Sequence, residues 1–213
     1  LSRLGVATPR VFGHDARARL AWVEDVGEAS LWDAREEPWE VRRGLYEATL
    51  EEVAMLHRTG VGDLDSDEEA ALMEPFDADL YRWEQAYFFE HLVGGVGGVG
   101  GGELGALAGI SELRALADRL AGEPRVLVHR DFQSQNVILS GEARRPVLID
   151  YQGLRRGLAE YDLASLIYDP YVTFPDGARE GLARFHLGLL DRDERWEDFE
   201  ARLRGCAIQR LMQ

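Results

Sequence analysis

The chain has 213 residues, 46% of them hydrophobic, with 39 acidic and 24 basic side chains and a formal net charge of −15. That length allows one sizeable domain or two small ones around a packed core. The acidity argues against a nucleic-acid partner, because a phosphate-binding surface needs clustered cations. The longest apolar runs, "VLV" and "PVLI", fall far short of the roughly 20 residues a membrane span requires. With no basic-then-apolar leader at the start, the expectation is a soluble protein with no membrane partner and a cytoplasmic address. The surplus acid serves solubility or, alternatively, lines a site for a cationic or polyhydroxylated ligand. Cys206, the single cysteine, rules out a disulfide framework or a cysteine metal site and is expected in the core.

In chain order, "PRVFGHDARARLAWVEDVG" predicts a hairpin with strands near 10–13 and 19–24 around a polar turn at 14–17, and an extended "EDVGEAS" follows. From 36 to 59, Tyr46, Thr49, Leu50, Val53, Leu56 and His57 share one face of a 3.6-residue helix that Gly60 ends. Residues 61–75 read as an acidic loop. A helix over 77–93 carries an aromatic stripe, Leu80, Trp83, Tyr87, Phe88 and His91, which the pattern assigns to the core rather than to a ligand cage. Nine glycines in the sixteen residues 94–109 predict a flexible connection. The G-x-G-x-x-G window from Gly95 to Gly100 follows a helix rather than a strand, which removes the dinucleotide reading.

A helix over 111–121 is followed by a change of character. "RVLV", "NVILS" and "PVLID" read as short strands with a turn at "GEARR", and helices follow at 160–168, 177–190 and 194–213.

The segment 129–136, "HRDFQSQN", has the His-Arg-Asp-x-x-x-x-Asn spacing of a phosphotransfer loop. Asp131, on a loop after a strand, can orient an acceptor hydroxyl and accept its proton. Asn136 offers a neutral oxygen and Asp150 a charged one, an oxygen-only incomplete shell that suits Mg2+. Strands joined by the turn at 141–145 would bring these two residues to one metal although they lie fourteen positions apart. Each has a plainer alternative, Asp131 as a turn residue and Asn136 as a strand-entry cap. For His129 and Arg130 the favoured role is orientation of the loop by packing and hydrogen bonds, ahead of direct chemistry.

"VLVHRDFQSQNVIL", "PVLIDYQG" and "AEYDLASLIYDPY" together resemble the aminoglycoside phosphotransferase family of protein-kinase-like small-molecule kinases. The similarity extends to "LGVATPRVFGHD" and "LAWVEDVGEASL", which look like the last strands and hinge of a kinase N-lobe, and to "LEEVAMLHRTG" in the helix before the catalytic region. The resemblance implies an α+β, protein-kinase-like fold, with residues 1–30 a remnant of the N-lobe strands and hinge and 31–213 a mostly helical C-lobe. It also implies ATP and Mg2+ as cofactors, Asp131 as catalytic base, Asn136 and Asp150 as magnesium ligands, and Asp162 as a buried acid bracing the loop. Hinge backbone at Glu24, Asp25 and Val26 would bind the adenine. Tyr151 and Gln152 stand where protein kinases have Phe and Gly, a departure that points to the small-molecule branch.

Within the family, the same motifs and the terminal "AIQR" are most similar to bacterial anomeric kinases of N-acetylated cell-wall amino sugars, N-acetylmuramate and N-acetylglucosamine. Trp83, Glu84, Tyr87 and Glu90 are then candidates for a sugar site, or else a half-buried helix with a solvated edge. The alternative acceptors are an aminoglycoside or another cationic alcohol.

All 24 basic residues are arginine. Kinases of this type hold the nucleotide phosphates with a strand lysine, and no room for that strand, its glycine loop and its partner helix exists before residue 9. The chain reads as a truncated piece of a longer enzyme, starting at Leu1 and ending in an uncapped helix, and so as inactive by itself. The other reading is a lobe that binds without catalysing.

Overall fold

The computed structural model describes the backbone of residues 1–213 and every side chain but that of Ser2. An exposed hairpin comes first, with β1 (Val11–Asp15) antiparallel to β2 (Leu20–Val23). Asp15 Oδ1 accepts from the N–H groups of Arg17 and Ala18 at 2.9 and 3.0 Å. That side-chain closure moves the turn to 16–19, later than the 14–17 expected.

Helix α1 (Trp39–His57) buries the anticipated face, including Tyr46, Leu50, Val53 and His57. The acidic loop expected at 61–75 contains a short helix, α2 (Ser66–Ala70). Asp65 caps it by accepting from Asp67 N and Glu68 N, and Glu68 reaches back to Asp65 N at 3.0 Å, a capping box that the D-x-x-E spacing encodes.

Helix α3 (Ala78–Phe88) runs into a π-helical stretch, Phe89–Val96, and then α4 (Gly101–Ala108) and α5 (Ser111–Ala121). Two expectations are corrected here. Of the aromatic stripe only Leu80 packs against the core, since Trp83 is 61% and Tyr87 47% exposed while Tyr81, Glu84 and Gln85 take the buried face. The glycine-rich stretch is largely helical rather than a loose connection. Glycine weakens a helix by about 1 kcal/mol relative to alanine, which is why the composition reads as coil. At Gly94, however, a Cβ would stand 3.1 Å from Leu104 Cδ2, so the bare backbone lets that leucine close on the π-helical stretch.

Strand β3 (Val126–Val128) is followed by a hairpin of β4 (Val137–Ser140) and β5 (Arg145–Leu148), then β6 (Arg155–Gly157), which pairs back onto β3. Val137 lies opposite Leu148 and Val128 opposite Arg155. Strand β6, "RRG", carries no apolar alternation and becomes a strand only because β3 lies alongside. Backbone bonds from Leu139 N to Ala29 O and from Leu148 N to Ala7 O, both 2.8 Å, tie the N-terminal segments to the β4–β5 hairpin.

The core centres on α6 (Ala159–Ile167), every residue of which is buried. It packs against β3, α7 (Ala178–Leu189) and α8 (Trp196–Leu211), while α1 packs on α7, β3 and β5. Cys206 is buried on α8, as expected, and burial raises its thiol pKa well above the ordinary value. Among the described residues no helix is long and apolar enough to cross a membrane.

Candidate active site

The loop after β3 hangs on one fully buried carboxylate. Asp162, on α6, accepts from His129 N at 2.7 Å and His57 Nε2 at 3.0 Å through Oδ2, and from Arg130 N at 2.8 Å through Oδ1. A carboxylate can only accept, so His57 donates from Nε2, and its Nδ1 meets His186 Nε2 at 2.9 Å. Burial, with the nearby charges of His57 and Arg192, holds the His186 imidazole well below its ordinary pKa. His129 donates from Nε2 to Ile149 O at 2.9 Å, which binds the loop to the end of β5.

A second buried carboxylate, Asp169, accepts from Ser134 Oγ at 2.5 Å, Ser134 N at 3.1 Å and Tyr171 N at 2.9 Å. The loop backbone is thus held at both ends from beneath. Its geometry is otherwise costly, since Arg130 adopts φ 81°, a left-handed conformation that a side chain disfavours by roughly 1–2 kcal/mol. Gly153 leaves the space this needs, because a Cβ there would stand 3.1 Å from Arg130 Cδ.

Asp131 follows with its side chain 27% exposed, open enough to meet a ligand. Arg130 Nη1 donates to its Oδ2 at 2.9 Å, and Arg210 Nη2, from α8, lies 3.7 Å from its Oδ1. The Asp131 carbonyl accepts from Asn136 Nδ2 at 2.8 Å. That bond commits the Asn136 nitrogen and leaves its amide oxygen available as a ligand.

Asn136 O accepts from Ile149 N at 3.1 Å, extending the β4–β5 ladder by one pair, so Asp150 comes immediately after the residue facing Asn136. Asp150 is exposed, adopts φ 63°, and receives Gln152 Nε2 on Oδ1. An amide oxygen and a carboxylate are hard ligands of the kind Mg2+ takes, and Mg2+ usually keeps waters and phosphate oxygens in the rest of its shell. No group of three or more His, Cys, Asp or Glu side chains among the described residues could hold a metal alone. These two residues therefore fit a magnesium ion only together with phosphate or water oxygens.

The other expected site residues are placed less uniformly. Glu24 closes the N-terminal hairpin, with its N–H on Arg10 O at 2.8 Å and its Oε2 accepting from Arg10 N at 3.1 Å. Asp25 Oδ1 accepts from Gly27 N at 3.0 Å, and Val26 is half-buried. Trp83, Tyr87 and Glu90 are exposed on the outer side of the α3 region, and the Trp83 and Tyr87 rings lie 5.5 Å apart. Glu84 is separated from them, buried beside α8. Its carboxylate accepts from Gln209 Nε2 at 2.9 Å and Gln213 Nε2 at 3.0 Å, and burial raises its pKa.

The sequence reading assigned no role to His57, His186, Asp169 or Arg210, all of which touch the loop or its supports. Asp169 sits seven residues after Asp162 on the same stretch of chain, a signal within reach. Arg210 ends the "AIQR" segment that contributes to the family resemblance, but nothing local links it to Asp131, which it meets across 79 positions only once α8 is packed.

The phosphotransferase enzyme family matches residues 1–199. The N-acetylmuramate/N-acetylglucosamine kinase of Pseudomonas aeruginosa is 30% identical over 178 residues, covering 83% of this chain and 48% of that protein. A kinase of the same name from Neisseria meningitidis is 37% identical over 57 residues, 27% of this chain and 16% of its own length. The chain therefore spans about half the length, or less, of the curated relatives it matches. Among solved structures, a Plasmodium vivax ethanolamine kinase superposes with TM-score 0.67 at 14% identity, over all of this chain and 61% of the other. An aminoglycoside-3'-phosphotransferase of type VIII gives 0.58 at 23%, over all of this chain and 75% of the other. The α+β, mostly helical, kinase-like fold expected from the sequence is the fold of these proteins.

Proposed function

Because the chain belongs to the phosphotransferase enzyme family, we propose that it forms the catalytic and acceptor-binding lobe of a small-molecule kinase. In this reading the enzyme uses MgATP to phosphorylate a hydroxyl of a sugar or amino sugar. Residues 31–213 supply this lobe, and residues 1–30 belong to the hinge and to a nucleotide-side lobe. Five large apolar side chains left exposed on the hairpin, Val11, Phe12, Leu20, Trp22 and Val23, support that division.

The observation that carries the reading is the β4–β5 register, which sets Asp150 at the rim of the loop holding Asp131 and Asn136. Asp131 orients the acceptor hydroxyl and takes its proton as the oxygen bonds to phosphorus and the nucleoside diphosphate leaves. Asn136 and Asp150 hold magnesium, which when bound neutralises charge on the nucleotide phosphates. His129 and Arg130 shape the loop, and Asp162 anchors it. Glu24, Asp25 and Val26 present backbone to the adenine. The amino-sugar acceptor follows the Pseudomonas aeruginosa relative. A cationic acceptor is disfavoured by the two guanidiniums that stand against Asp131.

Asp131→Asn in the complete gene product tests this. Transfer from ATP to N-acetylglucosamine or N-acetylmuramate should drop by about 10²–10⁴-fold while nucleotide affinity is retained. Turnover that survives the substitution removes Asp131 from the role of base. A complete gene product lacking any strand lysine would favour a lobe that binds without catalysing.

A further inference from the structure

Guanidiniums outnumber carboxylates around Asp131. Arg130 and Arg210 face its two oxygens. Arg210 is itself held in place, donating from Nε to Ser165 Oγ at 2.9 Å and from Nη1 to Gln213 Oε1 at 2.6 Å. A third guanidinium, Arg155 on β6, sits in the same neighbourhood through the β6–β3 pairing that sets it opposite Val128, one residue before the loop.

Arg155 is only 7% exposed. Its one side-chain hydrogen bond is a long one, Nε to Gly153 O at 3.3 Å, and its guanidinium lies over the Phe76 ring 4.9 Å from the centroid. No carboxylate among the described residues forms an ion pair with it. The carboxylates whose charge acts on it are Glu84 and Asp131, and both are already engaged, Glu84 by the Gln209 and Gln213 amides and Asp131 by the other two arginines. Burial and the charge of Arg130 both push the Arg155 pKa down, as expected of a cation lacking its own counter-ion.

A buried charge is ordinarily paired, because the interior does not solvate it as water does. Three guanidiniums against Asp131 and a desolvated Glu84 leave one positive charge unmatched, in a chain whose net charge is −15. Guanidinium is also the group best shaped to grip a carboxylate or phosphate through paired N–H bonds.

We propose that Arg155, with Arg130 and Arg210 beside it, forms an oxyanion-binding corner next to Asp131 that takes a carboxylate or phosphoryl group of the bound small molecule. The corner rests on the phosphotransferase reading only for the acceptor's position beside Asp131. Two sources supply such a group, an acidic substituent of the acceptor or the phosphoryl group being transferred. The corner makes Arg155 a specificity-determining residue in the first case and a phosphate ligand in the second.

The test is calorimetric titration of the 213-residue chain and its Arg155→Met variant with three probes. These are N-acetylmuramate, which bears a carboxylate, N-acetylglucosamine, which lacks it, and inorganic phosphate. At least one oxyanion probe should bind the variant about tenfold or more weakly, the loss of one charge-assisted contact, with N-acetylglucosamine unchanged and Arg155→Lys recovering part of the loss. A loss confined to N-acetylmuramate assigns the acceptor's carboxylate; a loss confined to phosphate assigns the phosphoryl group. Should the variant not fold, the wild-type Arg155 Nε–H resonance reports instead, and must shift on adding an oxyanion but not N-acetylglucosamine. Equal oxyanion affinities in wild type and variant, an unmoved resonance, or no oxyanion binding at all overturns the corner. If N-acetylglucosamine binds normally in that event, the sugar-kinase reading stands without it. If both sugars fail to bind while phosphate responds to Arg155→Met, the acceptor assignment fails and the corner survives.

Discussion

At Arg130 and Asp150 the backbone passes through positive φ, 81° and 63°, with full side chains attached; in the stretch from Phe89 to Gly109 the same turns, 68° and 61°, are made by Gly98 and Gly101. Around Arg130 the surroundings over-determine the conformation. Its N–H and that of His129 end on Asp162, and Asn136 closes on the Asp131 carbonyl. Around Gly98 and Gly101 nothing lies within 4 Å of where a Cβ would stand. The loop holds strain because buried hydrogen bonds leave it no alternative, and the glycine-rich arm avoids strain because nothing there could hold it. The contrast also marks which region opens first, since exposed segments with few buried contacts lie at the low end of local stability.

The most severe way to break that contrast is Asp162→Ala. It strands two backbone N–H groups and the His57 imidazole, each at about 1–3 kcal/mol. Urea unfolding should show a loss of about 4 kcal/mol. Val96→Ala, in the arm and 82% exposed, should stay within about 0.5 kcal/mol. Similar losses for the two variants would abolish the distinction between regions.

A pH series sharpens the same point at the far end of the Asp162–His57–His186 chain. The folded pKa of His186 lies well below the unfolded value near 6.5, so the unfolded state takes up the proton first. Its contribution is complete above about pH 6.5 and declines as the pH falls below it, by at most about 1.4 kcal/mol per unit. Compared with a His186→Gln variant, the wild-type chain should lose stability more steeply between about pH 7 and pH 5. Parallel pH curves would show that the His186 ring is not held neutral by its surroundings.

The smallest effect is the most pointed. Arg130→Gly removes a left-handed side chain costing roughly 1–2 kcal/mol together with a partly exposed ion pair worth about 0–1 kcal/mol. Its stability should match the parent within about 1 kcal/mol. Gly98→Ala, at similar φ with no partners, should lose about 1 kcal/mol by thermal or urea unfolding. If Arg130→Gly were the more damaging of the two, the guanidinium rather than the backbone bonds would be holding the loop.

Much of the site was legible because its parts are local. The His129–Asn136 spacing, the two strands around the turn at 141–144 and the helical face of α1 each follow from residues within a few turns of one another. Helix α4 was not legible, because glycine propensity and the packing of Leu104 on Gly94 pull in opposite directions and the sequence displays only the first. The burial of Glu84 beneath exposed Trp83 and Tyr87 depends on which face of α3 meets α8, and an aromatic stripe does not reveal that.

From the amino-acid order alone come the loop with Asp131 and Asn136 and the hairpin ending in Asp150, since short-range spacing writes these directly into the chain, and the kinase-like lobe follows from the family resemblance those motifs carry. Only the tertiary structure could bring His57 and His186 behind Asp162, or Arg155 and Arg210 beside Asp131. Those partners lie 24 to 129 residues apart in the sequence. Their meeting depends on how α1, α7, α8 and β6 pack around α6, where the burial of apolar faces sets the positions and the charged groups settle into what that packing leaves.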